Sequence, residues 1–566
     1  CRPNTSSSCS SLDAQRWHRV PPFIYNLREY QAHKANGKGH PPYMNAKDSK
    51  FLKGAFTLTV AGVIVKLIGA LYRIPLYSIL GSEGIGLYQY AYPIYAIMLT
   101  VSSAGLNVAI SKAVAERWVL GKREAATRVF RISLVLMAIL GFAGFVLMFS
   151  LSGWIAANMA KDPRATVSIA AISPALFMAA VLSALRGWFQ GIEEMTVPAV
   201  SQVLEQLGRL LTMYTLGIVL LPRGIEYAAA GATFGAVVGA FIGVVYTVVA
   251  YFRRAKIWGT NSGEPAEPWG SVAKEIIMTA VPISLASAVF GITEIIDLGL
   301  VPGRLQSTGL PPEEATRLFG QLTGGAFPLL NIPTIFTGAL QMALVPSISG
   351  AAKLSDRESI VRRIRKALAI TVALALPAAM GIYVLAEPIP ALLFKDWGIG
   401  KVLRPLAPGV FFLALQQVTA GILHGLGRMK VPLVNLIWAA LTKAVLTYVL
   451  VGNPSIGVVG ASIATSVHFG VAALLNFLAI KREIGDVLDG PAMLKISLSS
   501  AIMSVIVGVT YGRMQTLIGW RLATIAGIGL GVVVYGILVV ATGAVTVEDL
   551  QSFPVLGRLF KQRNRK

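Results

Sequence analysis

The sequence predicts an all-α polytopic membrane protein. About fourteen transmembrane helices are expected, in two pseudo-symmetric six-helix lobes plus two C-terminal helices. Three observations carry this. Of 566 residues, 55% are hydrophobic and only 14% charged, with a mean hydropathy of +0.66. A soluble protein of this size needs nearly twice that charge to cover itself. The apolar residues fall in runs near 20 residues, which suits helices rather than barrel strands. The runs also repeat internally. The net charge of +23 has a bland explanation in basic cytoplasmic loops, and no nucleic-acid partner is expected.

The elements follow in order. Residues 1–50 form a polar cytoplasmic tail without an apolar signal core. Met44 stands just before the first apolar run, so residues 1–43 read as a gene-model extension. The expected spans of the first lobe (51–255) are 54–80, 86–111, 130–151, 165–186, 197–221 and 227–251. A cytoplasmic linker covers 256–273. The second lobe (274–482) holds 275–300, 322–349, 367–386, 402–424, 431–451 and 456–480. Two additional spans, 494–511 and 519–541, lie in 483–545. The tail 546–566 is basic, and 547–566 reads as an interfacial amphipathic helix.

Charge supports this count. Basic residues crowd alternate loops: Lys112 to Arg131, Arg253 to Lys274, Lys353 to Lys366 and Arg558 to Lys566. The opposite loops carry few, with Arg223 alone after the fifth span. Both termini are therefore expected in the cytoplasm.

The repeat is explicit. GWFQGIEEMTVP (187–198) returns as GILHGLGRMKVP (421–432), each joining one span to the next. AGAT (230–233), in a span ending at Arg253, is echoed by VGAS (459–462), in a span ending at Arg482. An offset of six spans gives the halves parallel topology, with a pseudo-two-fold along the membrane normal and a cleft between them.

A charge inside a span costs several kcal/mol, about 2.5–3.5 on insertion scales, so each needs a reason. Lys66 and Arg73 share a face of the first span. Glu205 and Arg209 stand at i, i+4 in the fifth, spaced as an intrahelical pair. Glu294 and Asp297 share the seventh. Lys443, with Asn435 two turns earlier, occupies the position in the eleventh that Arg209 holds in the fifth. Lys66, Arg73, Arg209 and Lys443 facing a cleft would suit a phosphate-bearing substrate. The alternative is pairing with Glu205, Glu294 or Asp297, or snorkelling to headgroups. Glu294 and Asp297 read as a proton or sodium site or as counter-ions. Tyrosines 72, 77, 88, 90, 92 and 95 read as an interfacial aromatic belt or a sugar-contacting rim. Cys1 and Cys9 are the only cysteines and no His-x-x-x-His pair exists. No metal centre or cofactor is expected beyond Na+ or H+ coupling.

Two blocks, KLIGALYRIP (66–75) with GIGLYQYAYPIY (84–95), and SAGLNVAISKAVAE (103–116), resemble the stage V sporulation protein B group. These are bacterial polysaccharide-biosynthesis membrane proteins of the multidrug/oligosaccharidyl-lipid/polysaccharide exporter superfamily, and the resemblance covers about 45–545. It implies a V-shaped fourteen-helix flippase, not an enzyme. The implied cargo is an undecaprenyl-linked sugar precursor, lipid II for peptidoglycan in the cell wall or spore cortex first among them. Alternating access driven by membrane potential or an ion gradient is the implied mechanism. An essential first-span arginine of the family matches Arg73. Toward the sodium site of some relatives, the resemblance offers Glu294 and Asn435 as contributors, but Ala439 stands where a second acid would help, which counts against sodium coupling. A monomer in the bacterial cytoplasmic membrane is expected. The competing readings are a cation-coupled multidrug exporter of the same superfamily, which a positive cleft disfavours, and a membrane enzyme, for which the 301–320 loop with Glu313 and Glu314 offers little.

Overall fold

The computed structural model describes residues 72–100, 105–258, 267–354 and 356–543, with scattered positions between 57 and 69. It leaves aside the side chains of 255–258, 282 and 285–290. Lys66, the tail 1–50, part of the linker at 259–266 and the expected helix at 547–566 lie outside the described residues.

Among the described residues the regular structure is all helical. The first-lobe helices are α1 (Arg73–Leu99), α2 (Gly105–Val119), α3 (Arg123–Ile155), α4 (Ala165–Ile172), α5 (Pro174–Gly191), α6 (Thr196–Leu220) and α7 (Ile225–Trp258). α8 (Trp269–Gln306) leads into α9 (Pro312–Gly320), α10 (Phe327–Lys353), α11 (Arg357–Val384), α12 (Pro388–Phe394), α13 (Ile399–Leu406), α14 (Pro408–Gly425), α15 (Lys430–Val451) and α16 (Val459–Ile484). α17 (Gly490–Ile518) and α18 (Trp520–Ala541) are the last helices among the described residues. Ten helical runs among the described residues are long and apolar enough to cross a membrane, or eleven if the pair α13–α14, bent by 45°, is one span. The first of the fourteen expected spans, 54–80, is described only in part, continuously from Tyr72 onward. Exposed Leu, Val, Ile and Phe cover the outer faces, as lipid requires. The chain is a multi-pass membrane protein.

The breaks have local causes. At Gly81, φ is +62° and ψ −176°, a conformation that only glycine adopts readily. Two helical pieces, expected as separate spans, are joined there within α1. A π turn at 321–326 separates α9 from α10 where Gly324, Gly325 and Pro328 follow in quick succession. α8 runs on through Pro302 and Gly303 to Gln306, well beyond the expected limit at 300.

The sequence repeat has a packing basis. Gly187 and Gly191 seat α5 on α2, where an added Cβ would lie 3.0 Å from Ile110 and 2.7 Å from Val114. Gly421 and Gly425 seat α14 on α10 in the same way, against Gln341 and Ile348, each at 2.8 Å. Small residues four apart let helices approach closely where no hydrophobic force drives them together.

The core shows how the lobes meet. At the basic end it is divided: one cluster runs from Leu106 to Ala280 and a separate one from Leu344 to Val487. At the opposite end a single cluster takes Leu76, Leu87 and Ile94 of α1 together with Phe319, Leu322 and Ile399 of the second lobe. The loops of that end converge on Asp396. Its carboxylate accepts hydrogen bonds from Tyr77 (3.2 Å), Ser82, Gln321 (3.0 Å) and the Gly398 amide (2.7 Å). Beside it Thr316 donates to Asp162 at 2.7 Å and meets Tyr90 at 3.1 Å. The lobes thus share one core at the end away from the basic loops, while at the basic end the core splits in two and α8 packs with the first lobe through Ile276 and Ala280.

Gly320 sets how closely the lobes meet at the shared-core end, since a Cβ there would overlap the Ser82 carbonyl oxygen. Gly320→Ala should cost about 1–3 kcal/mol of overpacking and prise this end open. Because the only native cysteines are Cys1 and Cys9, a cysteine replacing the buried Ala315 can report it. Labelling by a thiol reagent should be slow in the parent and fast with Gly320→Ala.

Candidate functional site

In the first lobe, α5 and α6 bring together Arg186, Glu205 and Arg209. The i, i+4 spacing aims Glu205 and Arg209 along one face of α6, yet the carboxylate turns mainly to α5. Arg186 Nη2 lies 2.8 Å from Glu205 Oε2, whereas Arg209 Nη2 is 3.8 Å from Oε1. The intrahelical pair read from sequence is the weaker half of a three-residue cluster. Arg186, which sequence reading did not single out, is its stronger partner and also donates to Ser201 Oγ at 2.8 Å. Arg209 is buried, and its Nε has no hydrogen-bond partner among the described residues.

Tyr88, Tyr92 and Tyr95 lie on one face of α1 at i, i+4 and i+7, and all three are in electrostatic contact with Arg209. The expected aromatic belt is not what forms. Tyr72, Tyr77, Tyr88, Tyr90 and Tyr95 are all buried in the protein, with Tyr90 stacked on Phe319 at 4.8 Å and Tyr77 packed on Phe394 at 4.9 Å. The phenols have left the membrane interface for the lobe interior.

On the other side, α8 and α15 join through Asp297 and Lys443. Lys443 Nζ is 2.6 Å from Asp297 Oδ2, with the side chains 2% and 1% exposed. It also donates to the Thr293 carbonyl at 3.1 Å, and it lies 5.8 Å from the Phe327 ring centre. Asp297 is not near a span end, because α8 continues nine residues past it to Gln306. Asn435 donates to Asn476 Oδ1 at 2.9 Å and so ties α15 to α16.

Arg73 and Glu294 connect the two groups. Glu294 is exposed and in electrostatic contact with Asp297, Lys443 and Arg73. Arg73 is half-buried, with Tyr72, Tyr88 and Tyr92 as its electrostatic neighbours. It forms no ion pair among the described residues. Four cations (Arg73, Arg186, Arg209, Lys443) here meet three carboxylates (Glu205, Glu294, Asp297), and Arg73 is the cation of the four without an ion pair among the described residues. Such a surface suits an anion with several oxygens.

A second ionic cluster lies at the basic end. Arg117 of α2 reaches Glu267 at 2.5 Å and Glu275 at 2.9 Å, clamping the start of α8. The Arg117 hydrogen bond holds the Glu267 carboxyl below the usual carboxylate range. A carboxyl lowered by folding stabilises fully above its unfolded pKa, and that stability is lost as pH falls through the lowered value. The clamp is therefore intact at neutral pH and released only in acid. With Glu267 37% exposed, Arg117→Ala should cost only about 1 kcal/mol. A small drop in unfolding temperature at pH 7 should result, vanishing at acid pH.

Comparison with known proteins agrees with this architecture. The chain is 27% identical over 530 residues to stage V sporulation protein B of Bacillus subtilis (strain 168), covering 90% of this chain and 98% of that protein. It is 25% identical over 493 residues to lipid II flippase MurJ of the same organism, covering 83% and 90%. A solved lipid II flippase MurJ in an inward closed conformation superposes with a TM-score of 0.65 at 15% identity, over 85% of this chain and 97% of that one. An inward-facing multidrug resistance MATE family transporter gives 0.64 at 18%, over 77% and 98%. At these identities the two structures establish the fold. The MatE family matches residues 323–449. The polysaccharide biosynthesis protein family matches residues 51–352, more than half of the sequence, and the chain belongs to that family.

Proposed function

We propose that this protein is a flippase that moves an undecaprenyl-pyrophosphate-linked sugar precursor, lipid II first among candidates, across the bacterial cytoplasmic membrane by alternating access. The observation that carries this reading is Arg73: a half-buried guanidinium without an ion pair among the described residues, among tyrosines and sharing Glu294 as an electrostatic neighbour with the buried Lys443–Asp297 pair. A pyrophosphate presents oxygens that match its planar fork. The names of the two Bacillus subtilis relatives point the same way.

The positive-inside pattern assigns the basic end to the cytoplasm, with both termini on that side. The core is split at that end and continuous at the other, which suits loading from the leaflet where such precursors are made. A cationic drug would meet the excess charge of Arg73, which weighs against the multidrug alternative. A coupling Na+ would find Asp297 already neutralised by Lys443 and Asn435 already bonded to Asn476. Glu294 is the acid that remains open to a coupling Na+ or H+.

The test is complementation of a bacterium depleted of its lipid II flippase, with lipid II in the outer leaflet measured directly. Rescue supports the reading. Lack of rescue by well-expressed protein sinks lipid II as the cargo.

A further inference from the structure

We infer that Arg186 is a positioning residue: by holding Glu205 it keeps the Arg209 guanidinium open as a second ligand, beside Arg73, for the phosphoryl oxygens of the cargo. This rests on the proposed anionic cargo and adds the residue that decides which lobe receives it.

A glutamate one turn before an arginine on a helix pairs with it by default. Here that pairing is incomplete. Glu205 Oε2 is within hydrogen-bond distance of Arg186, while the 3.8 Å from Oε1 to Arg209 is beyond it. Arg186 is itself anchored. Its Nε donates to Ser201 and its Nη2 to Glu205, so one fork bridges two successive turns of α6. Ser201 is fully buried, which fixes the fork. Arg209 is left with phenols around it and a buried Nε that no described group accepts from. An unspent donor on a buried cation is costly, and a phosphoryl oxygen would satisfy it.

The second lobe provides the comparison. The repeat places Ala420, Ala439 and Lys443 where the first lobe has Arg186, Glu205 and Arg209. No clamp exists there among the described residues, and Lys443 is neutralised directly by Asp297 at 2.6 Å. Both lobes carry a cation at the equivalent place, but only in the first is its carboxylate held by a third residue. The anionic group belongs to the first lobe.

The experiment measures binding of farnesyl pyrophosphate to the purified full chain in detergent, with the unfolding temperature followed in parallel. Arg186→Ala releases Glu205 onto Arg209 and should weaken binding about tenfold, the scale of one charge-assisted hydrogen bond. Adding Glu205→Gln to Arg186→Ala should restore most of that loss. A role limited to joining α5 and α6 predicts no restoration. Binding unchanged in folded Arg186→Ala, or a double variant as weak as the single one, overturns the inference. Where Arg186→Ala does not fold, Glu205→Gln alone decides: tighter binding supports the assignment and unchanged binding refutes it. If the parent protein itself fails to bind the probe, the anionic-cargo reading falls, and this inference with it.

Discussion

Asp297→Ala should largely abolish the folded protein in the membrane. The substitution removes the one carboxylate that neutralises Lys443, whose side chain is 2% exposed. The Thr293 carbonyl would remain as an acceptor at 3.1 Å, but a carbonyl dipole does not cancel a full charge. Breaking a buried pair from one side costs about 3–5 kcal/mol, a large part of the roughly 5–15 kcal/mol that holds a domain together. The double variant Asp297→Leu with Lys443→Met removes both charges at similar volume and should regain most of the loss. Yield in membranes and unfolding temperature in detergent check both. If the double variant is as unstable as Asp297→Ala, the pair is needed for more than mutual neutralisation. If Asp297→Ala is well folded, water or a shifted side chain must reach Lys443, and the ion pair does not govern stability.

Much of this architecture was legible because a bilayer enforces simple rules. A span must be apolar over its length, so the runs stand out, and a charge within one stands out more. Gly187 and Gly191 reappeared as Gly421 and Gly425 because both lobes use the same close helix contact. What escaped depended on neighbours distant in sequence. Pairing with Asp297 stood among the alternatives for the span cations, but nothing along the 146 residues that separate them singles out Lys443 as its partner. The expected span also ended at 300, close to Asp297 and short of Pro302 and Gly303. In the structure α8 continues through them. Arg186 stood at the expected end of a span, where an arginine ordinarily snorkels, yet α5 continues to Gly191 and carries it inward. The tyrosines were misplaced for a different reason. Ring spacing along a helix is the same whether the rings face headgroups or another helix, and only the packing against Phe319 and Phe394 separates the two.

Arg73→Ala should abolish transport while leaving the protein in the membrane at parental levels. The two halves of this expectation come from different features of the residue. Arg73 is half-buried and forms no ion pair among the described residues, so its removal strands no bonded carboxylate. Glu294 loses an electrostatic neighbour but is exposed and keeps Lys443 nearby. Stability should therefore change far less than in Asp297→Ala. Binding should change far more. Charge-assisted hydrogen bonds contribute about 1.5–3 kcal/mol each, and a two-pronged guanidinium–phosphate contact contains two. Their loss corresponds to a hundredfold or more in affinity. Arg73→Lys keeps the charge without the fork and should retain partial activity at best. Lipid II reaching the outer leaflet, measured beside protein abundance in the membrane, separates these outcomes. Full transport by Arg73→Ala would remove this residue from the site and leave Arg209 and its phenols as the anion ligand. Equal loss of protein and transport would instead make Arg73 a structural cation, whose partner would have to be sought among the phenols of α1.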